Sequence, residues 1–124
     1  MFASRSVIAF AAGLTAACAA VESVDGVRYS MASADFRDYA ESVFRRQNLA
    51  LSDIAFALDS TNPGSADRLR LESAEDALLE ACALLNEMAV RRRDGLQSGF
   101  DGRLQAGRSV PACERAVVQA RALL

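Results

Sequence analysis

Residues 65–95, SADRLRLESAEDALLEACALLNEMAVRRRDG, predict one long amphipathic helix around which the rest of the chain is organised. Ser65 is a favoured N-cap residue, and Gly95 follows the last turn as a C′ residue. Arg91, Arg92 and Arg93 close the helix at the end where its dipole favours cations. At 100° per residue the apolar side chains spread over an arc of roughly 160°, which is wide enough for a central helix with two neighbours.

The segment before this stretch predicts a first helix. Ser33 is its expected N-cap residue, and an apolar pattern close to the 3.6-residue period continues to Leu58. Gln47 is the one polar interruption of that pattern. The turn signal Pro63-Gly64 then reverses the chain before the long helix begins.

The segment after the long helix is less regular. Three glycines between residues 96 and 108 are typical of a loop, whereas Leu96, Phe100 and Leu104 have the spacing of a short helical turn. A last helix is expected to begin at Ser109 or Val110, with the proline at position 111 in its first turn, where its missing N–H costs no helical hydrogen bond.

These elements predict a small all-α fold, a bundle of three helices with a fourth short helix in the glycine-rich segment as the alternative. The bundle is expected to occupy residues 33–124. Residues 21–32 lack a helical stripe, and we expect them to form a flexible tether.

Residues 1–20, MFASRSVIAFAAGLTAACAA, have the charged, apolar and small-residue regions of an export signal. The apolar run is too short and too diluted to favour a retained membrane anchor. Thr15-Ala16-Ala17-Cys18 resembles the lipobox of bacterial lipoproteins, which predicts a lipid on Cys18. Ala17-Cys18-Ala19 is equally an ordinary signal-peptidase site, which would discard Cys18 with the leader.

Three cysteines in an exported chain leave one pair once Cys18 is lipidated or removed. We expect Cys82 and Cys113 to form a disulfide, because disulfides persist outside the cytoplasm and both residues lie on or beside apolar helix faces. Metal ligation and redox work are the alternatives. Two cysteines with neither a histidine nor CxxC spacing make a poor site for either.

The chain of 124 residues contains no histidine, and this excludes several classes of chemistry. A Ser-His-Asp or Cys-His nucleophile system cannot be assembled from it, nor can a histidine-bearing zinc site. No cofactor is expected. Two tyrosines and an acidic balance give little support for nucleic-acid binding.

Two candidate surfaces follow from the pattern. Phe36, Phe44 and Leu51 are expected to line a partly open groove between the first two helices, as a binding site for a partner protein. A local excess of three positive charges lies between residues 91 and 108, and it is either a patch for anionic lipid or glycan or an ordinary helix end. The arginines of this patch are Arg91, Arg92, Arg93, Arg103 and Arg108.

The leading hypothesis is a lipid-anchored, protein-binding adaptor of the bacterial envelope, held on the periplasmic side of the outer membrane. In outline the architecture resembles the secretin pilotins of secretion systems, which are short lipoproteins with disulfide-stapled helical bundles; the resemblance covers architecture only. The second hypothesis is a soluble periplasmic inhibitor or immunity-type protein that blocks an enzyme with the segment from Phe100 to Arg108. An enzyme that uses paired carboxylates, such as Asp76 and Glu80, ranks last.

Overall fold

The computed structural model describes residues 20–124, and within them it confirms a small helical bundle stapled by a disulfide. Predictions for the export signal and for lipidation of Cys18 lie outside the described residues. The elements in chain order are β1 (Ala20–Glu22), β2 (Arg28–Ser30), α1 (Ala34–Asp59), α2 (Ala66–Ala81), α3 (Ala83–Arg93) and α4 (Phe100–Arg121).

Helices α1 and α4 run in the same direction, and α2 and α3 return between them. Phe36 near the start of α1 faces Gly107 of α4, and Arg121 near the end of α4 pairs with Asp53 of α1. The chain therefore goes down along α1, back up along α2 and α3, and down again along α4. None of the helices from residue 20 onward is long and apolar enough to cross a membrane.

The central helix of the bundle is α4, not the stretch 65–95 that the sequence places there. α4 contacts α1, α2, α3 and β1. Its buried positions are mostly small, for example Ala106, Gly107 and Ala116, and small side chains let several neighbours approach one helix closely. The width of the apolar stripe therefore identified the wrong helix as the central one. Large apolar side chains dominate such a stripe, whereas the small buried residues of α4 contribute little to it.

The predicted single helix over 65–95 is divided into α2 and α3 at Cys82, which lies between them with φ −98° and ψ 3°. The Cys82 and Cys113 Cα atoms are 4.6 Å apart, and the two residues form the predicted disulfide in the middle of the bundle. Both cysteines are fully buried. The fourth helix thus arises from this division and not, as the alternative had it, from a separate piece in the glycine-rich segment.

Local capping chemistry agrees with the sequence. The Ser33 hydroxyl accepts the Phe36 N–H, and the Ser65 hydroxyl accepts the Arg68 N–H, both at 3.1 Å. Gly95 has φ +72°, and the Leu96 N–H reaches back to the Arg91 carbonyl at 2.8 Å. This six-to-one hydrogen bond after a left-handed glycine is the Schellman ending of a helix.

The glycine-rich segment corrects a prediction. α4 begins at Phe100, so most of residues 96–108 are helical, and Pro111 lies mid-helix rather than in a first turn. A glycine costs a helix about 1 kcal/mol relative to alanine, which is small beside the burial of a whole helix face. Packing of α4 against its neighbours therefore overrides the local loop signal.

Residues 21–32, expected as a flexible tether, instead contain an antiparallel hairpin that packs on the bundle. Val21 pairs with Tyr29 across β1 and β2, and the Val21 side chain is buried in the core. Gly26 takes φ +82° in the turn. The prediction failed because strands of three residues are too short for an alternating pattern to stand out.

Candidate functional site

The first candidate site is a buried carboxylate at the junction of the hairpin, α1 and α4. Glu114 of α4 is 3% exposed and accepts three hydrogen bonds. The donors are the Val24 main-chain N–H at 2.7 Å, the Tyr39 hydroxyl at 3.0 Å and the Arg46 guanidinium at 2.7 Å. Buried charges are stable where they are paired and hydrogen-bonded, and Glu114 meets both conditions.

The environment shifts the protonation of both acids in this network. Burial by itself raises the pKa of the Glu114 carboxyl, but the hydrogen bonds from Val24, Arg46 and Tyr39 outweigh it and hold that pKa below its ordinary value of 4.5. Burial, together with the hydrogen bond to Glu114, raises the pKa of the Tyr39 hydroxyl well above its ordinary value of 10.0. Glu114 is therefore charged and Tyr39 neutral at physiological pH.

Aromatic packing supports the same junction. The rings of Tyr29 in β2 and Tyr39 in α1 stack at 4.6 Å between centroids with planes only 3° apart, and the Phe36 ring meets Tyr39 edge-on. Both oxygens of the Glu114 carboxylate accept from donors of the protein itself. This arrangement holds the hairpin against the bundle. The hydrogen bonds of the Glu114 carboxylate therefore serve the fold.

Sequence reasoning missed this network. Glu114 follows Cys113 in the last predicted helix, and Tyr39 lies in the first predicted helix outside every predicted site. The partner that gives Glu114 its role, the Val24 N–H, belongs to a segment expected to be a tether. A charged residue between buried neighbours in a helix was the only available signal.

The three residues predicted to line a partner groove do not form one site. Phe36 is 8% exposed and is directed toward Tyr39 and Gly107. Phe44 and Leu51 are half-buried and pack against the core. The predicted groove therefore loses Phe36, and what remains of it is a pair of partly covered core residues.

An apolar depression lies elsewhere, between α2 and the C-terminal half of α4. We call it the α2–α4 groove; its volume is about 440 Å³, and small residues such as Ala74, Ala77 and Ala120 form its floor. Leu69 and Leu123, which are 60% and 49% exposed, form its rims. Arg70 and Gln119 line the polar margin.

The predicted basic patch is divided between two elements at one end of the bundle. Arg91, Arg92 and Arg93 form the last turn of α3, and Arg103 lies in the first turn of α4 across a short connection. Arg93 pairs with its neighbour Asp94, and Arg91 donates to the Gln97 carbonyl at 3.3 Å. Arg108 is exposed one turn further along α4.

The carboxylates proposed for an enzyme are placed on the surface of α2. Asp76 and Glu80 are both exposed and lie on the side away from the core. Within residues 20–124, no group of three or more histidine, cysteine or carboxylate side chains is arranged to hold a metal ion.

One core residue carries unsatisfied polar atoms. Gln47 of α1 is 1% exposed, and neither its amide nitrogen nor its amide oxygen has a hydrogen-bond partner among the described residues. The sequence had marked Gln47 as the polar interruption of an apolar face, and the structure buries it with that face.

Comparisons with protein-family models, with curated proteins and with solved structures give no match for this chain.

Proposed function

We propose that this protein is an exported adaptor of the bacterial cell envelope that binds a helical segment of a partner protein in the α2–α4 groove. The single observation that carries the proposal is the groove itself. It joins an apolar floor of small side chains to two exposed leucine rims. Such a shape fits an amphipathic helix laid with its apolar face inward.

The floor and margin of the groove also define the partner's chemistry. Alanines at positions 74, 77 and 120 leave room for the backbone of a helix to come close, and Leu69 and Leu123 would pack on either side of it. Arg70 at the margin pairs with Asp67 only at 3.5 Å, and both side chains are largely exposed. An acidic residue beside the partner's apolar face would compete for Arg70 at little cost, because exposed ion pairs are weak.

An envelope location is supported by the covalent structure. The Cys82–Cys113 disulfide supports an oxidising, non-cytoplasmic compartment, because disulfides persist there. The leader of residues 1–20 has the form of an export signal, and we propose that a lipid on Cys18 attaches the protein to the membrane. The periplasmic side of the outer membrane is the location that fits both features.

The inhibitor hypothesis is weaker, since its blocking element is absent as a loop: residues 100–108 are the first turns of α4. The carboxylate enzyme is weaker too, because Asp76 and Glu80 lie on an exposed helix surface. A binding role needs only the groove and a stable scaffold.

The adaptor proposal is tested by site-specific photo-cross-linking in a Gram-negative host. A photoreactive phenylalanine replaces Ala77 in the groove, and the matched control carries it at Leu79, which is exposed on the same helix outside the groove. We expect one discrete adduct from position 77. Its cross-linked peptide, sequenced by mass spectrometry, should be amphipathic and helical with an acidic residue at its edge.

A rim substitution makes this test selective. Leu69→Asp places a charge on the groove margin and should abolish the adduct from position 77, whereas Leu84→Asp, an exposed leucine on α3, should leave it intact. Equal labelling from positions 77 and 79, or an adduct that survives Leu69→Asp, would refute the groove as the binding site.

Lipidation is tested separately by intact mass. The full chain, recovered from membrane and periplasmic fractions, should carry an acylated N-terminus at Cys18 and be membrane-associated, and Cys18→Ala should release it. A periplasmic species that begins after Ala19 or Ala20 would rule out the lipid anchor.

A further inference from the structure

We infer that the end of the bundle where α3 meets α4 docks on an anionic phospholipid surface. This surface, which we call the tip, combines arginines with exposed apolar side chains. Its apolar members are Val90, Leu96 and Phe100, and its basic members are Arg91, Arg92, Arg93 and Arg103.

The exposed apolar side chains are the first argument. Phe100, the first residue of α4, is 72% exposed, and Leu96, which precedes α4, is 56% exposed. Further along α4, the face toward the core is well packed. Exposure of a single apolar residue needs no explanation, but an aromatic ring among arginines is the composition of surfaces that sit at the lipid–water boundary. There the ring enters the headgroup region while the guanidinium groups stay at the phosphates.

The charge distribution is the second argument. Residues 91–103 carry four arginines and two aspartates, a net excess of two positive charges, in a chain whose formal charge is −2. Helix α2, toward the other end, has a net charge of −3 from five acids and two arginines. An anionic surface would attract the tip and repel α2, so the charges of these two parts favour an orientation with the tip toward the surface.

The way α4 projects beyond α1 is the third argument. Phe36, the third residue of α1, faces Gly107, the eighth residue of α4. Seven residues of α4 precede Gly107 and two residues of α1 precede Phe36, so at 1.5 Å per residue the start of α4 lies about 7.5 Å beyond the start of α1. The acids in the first turns of α1, Asp35 and Asp38, are set back by about one Debye length, which is about 8 Å at physiological salt.

The path of the chain brings a fourth, independent observation. Ala20 pairs with Ser30, and Met31, the next residue, packs its sulfur against Gly107 of α4. The first strand therefore starts on the half of the bundle that bears the tip. This step depends on the proposed envelope location: a lipid on Cys18, two residues before Ala20, would enter the membrane beside the tip and not at the end of a long tether.

Two attachments to one surface reinforce each other. A lipid anchor supplies hydrophobic attachment, and a basic patch beside it adds electrostatic attraction to anionic headgroups and turns one side of the domain toward the surface. The α2–α4 groove lies toward the opposite end, near the end of α4, so it would face away from the membrane and stay open to a partner.

The test is binding of the purified, disulfide-intact full chain to phospholipid vesicles. Residues 1–19 are present in every variant, so differences between variants report the tip. We expect binding to vesicles that contain phosphatidylglycerol, weak binding to phosphatidylcholine alone, and loss of the difference at high salt. The triple variant Arg92→Gln, Arg93→Gln and Arg103→Gln should lower the phosphatidylglycerol partition coefficient by roughly 100-fold, at about fivefold for each arginine.

Two further variants distinguish the effect of the tip on vesicle binding from the effect of net charge, and a folding check accompanies them. Replacing Arg45, Arg115 and Arg121 by glutamine removes the same charge from other surfaces and should leave binding near that of the unsubstituted chain. Phe100→Ser keeps every charge and should weaken binding roughly tenfold. Circular dichroism checks that each variant remains folded.

The inference is overturned if both triple variants lose binding equally, or if phosphatidylcholine vesicles bind as well as anionic ones. Binding to a soluble anionic glycan without binding to anionic vesicles would also overturn it, and would point to a polyanion partner. Cross-linking from position 77 tests partner binding in the α2–α4 groove independently of membrane binding by the tip. Failure of the tip with a retained groove adduct would therefore leave the adaptor proposal standing.

Discussion

The main-chain N–H of Val24 donates a 2.7 Å hydrogen bond to the carboxylate of Glu114, 90 positions later in the chain. The same carboxylate accepts from Tyr39 and Arg46 of α1. One buried acid thus connects the hairpin, the first helix and the last helix. The hairpin holds its place through this side chain and through the stacked rings of Tyr29 and Tyr39.

Glu114→Ala should therefore loosen the hairpin before it unfolds the bundle. The variant leaves Val24 and Tyr39 without their acceptor, and hydrogen bonds to a charged group are worth about 1.5 to 3 kcal/mol each. We expect native-state hydrogen exchange at the Val24 amide to accelerate by at least about tenfold. Glu41→Ala, which removes an exposed partner of Arg45, should leave the Val24 amide unchanged. Equal protection of Val24 in both variants would contradict the role given to Glu114.

The protonation of Glu114 predicts an acid-dependent loss of stability. Its pKa in the folded state is below its ordinary value of 4.5, so the folded state favours the charged form. The stabilisation is complete above that ordinary value and is lost as pH falls through the folded-state pKa. Urea unfolding at a series of pH values below 5 should show a steeper loss for the unsubstituted protein than for Glu114→Gln. Parallel curves would show that other carboxylates dominate acid unfolding.

Two glycines of α4 should respond to alanine in opposite directions. A Cβ added at Gly102 would meet only the Ser98 Cβ, 4.0 Å away, so Gly102→Ala should stabilise the helix by about 0.5 to 1 kcal/mol. A Cβ at Gly107 would come within 2.7 Å of the Met31 sulfur and 3.4 Å of the Phe36 ring. Gly107→Ala should therefore lower the free energy of unfolding, because the Met31 side chain must leave its packed position.

Thermal unfolding of these variants gives the comparison. Met31→Ala combined with Gly107→Ala should cost less than the sum of the two single changes, since the clash needs both side chains. Additive costs, or a stabilising Gly107→Ala, would show that the Met31 side chain moves without penalty.

The disulfide should account for a sizeable part of the stability of so small a domain. It links residues that are 31 positions apart, and a loop of that length corresponds to about 3 to 4 kcal/mol in the chain-entropy treatment of cross-links. Replacing both Cys82 and Cys113 by alanine should lower the midpoint of thermal unfolding while helical circular dichroism persists at low temperature. Cys18→Ala serves as the control for cysteine removal and should leave the midpoint unchanged. A midpoint that does not move in the double variant would mean that packing alone holds the bundle together.

The sequence predicted the features that local chemistry decides. Ser33 and Ser65 cap helices because a hydroxyl can accept a free N–H, and Gly95 ends one because it tolerates a positive φ. The disulfide followed from counting the cysteines that remain after a predicted export signal. Each of these depends on a few neighbouring residues or on a count, and both are readable without a structure.

The features that long-range packing decides were not predictable in this way. No residue near Cys82 marks the division of α2 from α3, and the early start of α4 opposes the local preference of its glycines. The hairpin and the Glu114 network depend on Val24 meeting a residue 90 positions away. The groove is lined by alanines, which carry little weight in an apolar pattern. The candidate site therefore became visible only with the packing of α2 against α4.

Gln47 allows a test of how a buried polar side chain affects the stability of the core. Its amide group is fully buried without a partner among the described residues, and a buried unsatisfied polar group costs about 1 to 3 kcal/mol. Gln47→Met keeps an unbranched side chain of similar length and removes the unsatisfied atoms, so it should raise the free energy of unfolding by about 1 to 2 kcal/mol. Asn48→Met on the exposed side of α1 is the matched control and should change stability by less than about 0.5 kcal/mol. A loss of stability in Gln47→Met, measured by urea unfolding, would mean that the amide is satisfied in solution and that Gln47 belongs to the fold's hydrogen-bonded framework.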